Sequence, residues 1–151
     1  MVDLLLYIYL VAPSLVGLAA LLYALTRASD RIQLATLALF ALAVLYSAQA
    51  YDLARRGDVA TVIGVALGIY ALAIYVCVVF LAVDLRRWAW RAALVICGLH
   101  VPFCFLAYQA SPLPGWKSLL LVAGYLAVAA IGLWALLHKG TRLTVGAARP
   151  Q

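Results

Sequence analysis

Residues 97–104 read CGLHVPFC, which sets one imidazole, His100, between two thiols, Cys97 and Cys104, in an apolar run. Thiolate and imidazole are ligands for zinc and copper. A buried imidazole also serves as a haem ligand or a proton carrier. At about 100° per residue, Cys97, His100, Cys104 and Tyr108 share one helix face. Cys77 falls at a similar depth in the preceding apolar run, so three thiols and an imidazole are expected across two adjacent helices. The spacing limits what they hold. Cys97 and Cys104 are about 10 Å apart along a helix axis, and one metal about 2.3 Å from each sulfur does not bridge that gap. At most one of the two thiols joins a site with His100. The chain has no CxxC and no HxxxH, and its other histidine, His138, falls at the end of the last apolar run, too shallow to share a haem with His100. The expectation is a neutral, hydrogen-bonded His100 and no cofactor, with His100 as the metal ligand if a metal is held. Its expected partners are Tyr70, Tyr75, Tyr125 or the carbonyl of Gly98, which Pro102 leaves without its helical donor.

A second polar group is residues 47–58, SAQAYDLARRGD. Ser47, Gln49, Tyr51 and Asp52 stand near the end of an apolar run. Asp52 precedes Arg55 and Arg56 by helical pairing distances, and long arginine stems reach from apolar surface to water. The group reads as an interfacial cap; the alternative is a polar vestibule for a solute or a quinone headgroup. No glutamate and no asparagine occur anywhere in the chain. Glutamate bases, glutamate-containing metal triads and N-glycosylation acceptors are therefore excluded. With no paired carboxylates, no Ser/His/Asp order and no phosphate loop, no reaction is defined.

The elements that position these residues are written in the composition. Of 151 residues 69% are apolar, and the mean hydropathy is +1.11; a soluble domain is about half apolar. A bilayer crossing takes roughly 20 apolar residues, and five runs qualify, at about 4–26, 33–52, 59–83, 92–110 and 118–138. The breaks TRASDR, RRGD, DLRRWAWR and SPLPGWK are short and carry charge, Gly or Pro. The reading is an all-α polytopic membrane protein: one domain over 1–140, a bundle of five antiparallel neighbours with no soluble domain, and a basic cytoplasmic tail over 141–151. The first run has no Lys or Arg before it, so it reads as a retained helix rather than a secretory leader.

The net charge of +6 marks topology rather than nucleic acid, because the bases cluster at the ends of the runs. Arg27, Arg31, Arg86, Arg87, Arg91, Lys139, Arg142 and Arg149 fall on one side, and Arg55, Arg56 and Lys117 on the other. The richer side is cytoplasmic by the positive-inside rule, which puts the N-terminus outside and the C-terminus inside, with Trp88 and Trp90 at the inner interface and Trp116 at the outer one. Ala60, Gly64 and Gly68 recur every four residues and form a small-residue face on which helices pack closely. Alanine- and leucine-rich usage with Arg over Lys suggests a bacterial inner membrane.

Three functions fit these features. The first is a non-catalytic accessory or scaffold subunit of a larger membrane complex, partnered by lipids and by other membrane subunits or itself. The second is a small oligomeric transporter or channel for a small solute or ion. The third is a haem-, metal- or quinone-binding protein that uses His100.

Overall fold

The structure is a computed structural model that describes residues 2–27, 30–83, 87–109 and 115–138. The basic tail, with Lys139, Arg142 and Arg149, lies outside the described residues, as do Arg86 and the side chains of Asp3, Arg27 and Arg87. Five helices follow in order: α1 (Val2–Arg27), α2 (Asp30–Ala54), α3 (Asp58–Val83), α4 (Arg87–Gln109) and α5 (Gly115–Leu137). The described residues contain no strand.

The helices form because uninterrupted Ala, Leu, Val and Ile leave the backbone no better way to satisfy its hydrogen bonds out of water. Four of them, α2 to α5, are long and apolar enough to cross a membrane. In α1 the corresponding apolar stretch, Val11–Thr26, is shorter. α3 is apolar on all sides: it buries Leu67, Ile74 and Val78 while Val62, Val65 and Ile69 are 70%, 53% and 59% exposed. A helix hydrophobic all round belongs in a core or in lipid, and here the outward half is left uncovered by the described residues.

The turns follow local chemistry. Asp30 sits in the first turn of α2, where an acidic side chain suits the positive end of the helix dipole. α2 closes through the bond from Arg56 N to Leu53 O, and Gly57 follows at φ +83°, the left-handed conformation that glycine takes without strain at a helix end. One boundary departs from expectation. The stretch WAWR reads as part of a break, but α4 already begins at Arg87. Nothing between Arg87 and Arg91 breaks a helix, and tryptophan and arginine are side chains that sit at a membrane edge while the backbone stays helical.

α2 and α3 form the most extensive pair. α1 packs on both of them, α5 packs on α2, and α4 closes the bundle against α5 and α3. The small-residue face of α3 points into this arrangement: Gly64 and Gly68 are buried and Ala60 is half-buried. A Cβ at Gly64 would stand 2.9 Å from the Ala50 carbonyl oxygen and 2.9 Å from Ala54 N, so α2 and α3 cross there backbone to backbone. On the other side of α2, a Cβ at Gly132 of α5 would come to 3.3 Å from Ala38 Cβ.

At the end where α2 and α4 begin, two polar contacts tie the helices. Trp90 Nε1 donates to Leu136 O at 2.8 Å, joining α4 to α5. The Arg31 guanidinium hydrogen-bonds His138 Nδ1, joining α2 to the end of α5. His138 thus does more than cap its own helix.

Candidate functional site: a buried tyrosine and histidine cluster

α2 to α5 each contribute aromatic or polar side chains to one cluster in the middle of the bundle. Its centre is Tyr46 of α2, which is fully buried. The Tyr46 hydroxyl is hydrogen-bonded to His100 Nδ1 at 3.1 Å. Around it, the ring of Tyr70 from α3 meets Tyr46 edge-on at 5.1 Å between centroids. Tyr125 from α5 lies 4.8 Å away. Phe103 of α4 stacks flat on Tyr70 at 4.0 Å. Such aromatic contacts add to the energy of burial itself.

The hydroxyls and amides are taken up within the bundle. Tyr70 donates to Ile96 O of α4 at 2.8 Å. Tyr125 donates to Gln49 Oε1 at 3.0 Å, and Gln49 Nε2 donates to Ala107 O at 2.8 Å. Gln49 therefore links α2, α4 and α5 with a single side chain. Two buried polar atoms have no hydrogen-bond partner among the described residues, His100 Nε2 and Ser47 Oγ.

Cys97, His100 and Cys104 are all buried on α4, and Tyr108 is half-buried farther along the same helix. His100 itself is 1% exposed. The partner of His100 is Tyr46, a residue that the sequence reading did not single out. The expected partners are engaged elsewhere: Tyr70 and Tyr125 as above, and Tyr75 with Ser14 of α1 at 2.7 Å between oxygens. Gly98 and Pro102 face outward, away from the cluster. A signal for Tyr46 did exist. Tyr46 and Gln49 are three residues apart, so they share the buried face of α2.

Cys104 stands within electrostatic reach of Tyr46, Tyr70 and Tyr125, and Cys97 within reach of both Tyr70 and Cys77. All three thiols are free, and among the described residues no three His, Cys, Asp or Glu side chains come together in a way that would hold a metal ion.

The 47–58 group also divides. Gln49 turns inward. Asp52 is exposed and pairs with Arg56 one turn on, while the Arg55 guanidinium lies over the Tyr51 ring at 5.5 Å. Tyr51 and Asp52 therefore belong to a surface group outside the cluster. Exposed pairs of this kind contribute at most about 1 kcal/mol. Asp52→Asn is expected to leave thermal unfolding within about 3 °C of wild type, as measured by circular dichroism in detergent.

The cluster offers hydroxyls, an imidazole, an amide and thiols. No Asp, Lys or Arg is buried among the described residues. It can hold protons and hydrogen bonds, and it presents no carboxylate for acid–base chemistry. Comparison with known protein families, with curated proteins and with solved structures finds no match to this chain.

Proposed function

We propose that the protein is a non-catalytic accessory or scaffold subunit of a larger assembly in a bacterial inner membrane. The observation that carries this reading is the way its buried polar groups are used. Tyr46, Gln49 and Tyr70 each bond to α4, and Tyr125 of α5 bonds to Gln49 of α2, so the four side chains tie α2 to α5 together. Polar side chains bonded between helices fix which faces meet in lipid. They hold the bundle in one register and leave its exterior, with Val62, Phe105, Leu119 and Trp134 among its exposed residues, for lipid and for other membrane proteins.

In this reading α1 is a fifth span. The N-terminus is outside and the C-terminus inside, with the arginine-rich ends of α1 to α4 in the cytoplasm. Reporter fusions at the C-terminus test the orientation, and an exported C-terminus overturns it. The subunit role is tested by extracting the protein from native membranes into lipid nanodiscs and weighing the particles. The expected result is an assembly larger than a homo-oligomer, containing other chains. A particle of this chain alone overturns the scaffold reading and favours a small oligomeric transporter.

A second reading rests on His100 Nε2, buried and without a partner among the described residues. An imidazole held at Nδ1 by a neighbouring oxygen presents Nε2 in a fixed direction, the arrangement used by ligating histidines. The reading is a haem-, metal- or quinone-binding protein. It expects an absorbance band or a bound metal in the purified protein that disappears in His100→Leu. A colourless, metal-free and quinone-free preparation overturns it.

A further inference from the structure

Beyond the tyrosine and histidine cluster, a groove of ligand size lies on the outer face of the bundle, between α1 and α3. Its volume is about 310 Å³, it is open along one side, and its lining is wholly apolar, with Pro13 and Val16 on one wall and Tyr75, Val76, Val79 and Phe80 on the other. The Tyr75 hydroxyl is turned out of the groove by its bond to Ser14. We propose that this groove holds one acyl chain of an anionic phospholipid.

Three observations lead to that occupant. The groove lies along the central and later parts of two apolar helices, at the depth of lipid chains. The lining offers no polar atom, so the part of the occupant that it covers is apolar. The third observation is charge at the rim. Phe80 ends the groove, and the Trp88 ring packs on it at 4.6 Å between centroids. Arg91 follows Trp88 by one helical step and is exposed. Basic side chains at the membrane edge of an apolar groove attract anionic headgroups. The chain enters between α1 and α3 while the phosphate remains at the arginine-rich end. This inference needs only that α1 and α3 meet lipid, and it does not depend on the scaffold reading.

The test uses the full chain in nanodiscs of equal phosphatidylcholine and phosphatidylglycerol, delipidated stepwise and weighed by native mass spectrometry. One phosphatidylglycerol is expected to stay with each chain, at a preference of roughly tenfold or more over phosphatidylcholine. Val76→Trp and Ala12→Phe fill the groove from opposite walls, both from exposed positions, so unfolding temperatures should hold while the lipid is lost. Arg91→Gln should keep a lipid and lose the preference. Equal retention of the two lipids by the wild type overturns the proposal. So does retention of phosphatidylglycerol in both groove-filling variants. A two-chain particle that Val76→Trp or Ala12→Phe dissociates also overturns it and assigns the groove to a second copy.

Discussion

Gly64→Leu is expected to be the most damaging single substitution in this protein, lowering the unfolding temperature by about 5–10 °C. The cause is the closeness of two backbones. The new Cβ alone would sit 2.9 Å from the Ala50 carbonyl oxygen, 2.9 Å from Ala54 N and 3.1 Å from Leu53 Cβ. Two of these neighbours are main-chain atoms of α2 and cannot rotate away, so the helices must separate. Overpacking a well-packed core costs about 1–3 kcal/mol, and the upper part of that range applies because α2 and α3 form the largest helix pair. Gly64→Ala should fall between leucine and wild type. Gly124→Leu is the control: a Cβ at Gly124 meets nothing within 4 Å, so the same change on α5 should leave unfolding near wild type. If Gly64→Leu and Gly124→Leu unfold together, α2 and α3 do not cross at Gly64.

This contrast shows what a single chain discloses about its own packing. Gly64 and Gly124 are both glycines inside apolar runs. Gly64 has small residues four positions away on each side, Ala60 and Gly68, and that periodicity carries a physical meaning in lipid. The apolar runs were legible for a similar reason, because the thickness of the bilayer sets how long a helix must be. His100 was legible as a residue that needs a partner, since an imidazole among apolar helices is costly without one. Its partner was not. Tyr46, Tyr70, Tyr75 and Tyr125 are equivalent in composition, and only the rotation and axial offset of each helix decide which hydroxyl reaches Nδ1. Those offsets depend on every contact along α2 to α5 at once. The start of α4 was missed for a more local reason. Charge at Arg87 and Arg91 reads as a loop in the sequence, whereas arginines at a membrane edge reach water from within a helix.

The other large effect is expected at Gln49, and it separates the bond itself from the cost of losing one end of it. Hydrogen bonds between membrane helices are individually modest, about 0.6 kcal/mol on average. A buried polar group stripped of its partner costs more, about 1–3 kcal/mol. Gln49→Leu does the second thing: it removes the acceptor for the hydroxyl of Tyr125, which is 2% exposed. It also frees Ala107 O from its side-chain donor. The single variant should therefore lose about 2 kcal/mol of stability. Tyr125→Phe added to it removes the stranded hydroxyl while keeping the ring against Tyr46, and most of the loss should return. In the equilibrium unfolding of the two variants, recovery in Gln49→Leu/Tyr125→Phe identifies the single variant's defect as an orphaned hydroxyl. Additive losses would mean that Gln49 and Tyr125 act on separate neighbours and that the bond between them contributes little. The recovered double variant then serves a second purpose. It has a stable fold without the link among α2, α4 and α5, so its ability to enter the proposed assembly asks whether those polar groups act only by holding the helices in register.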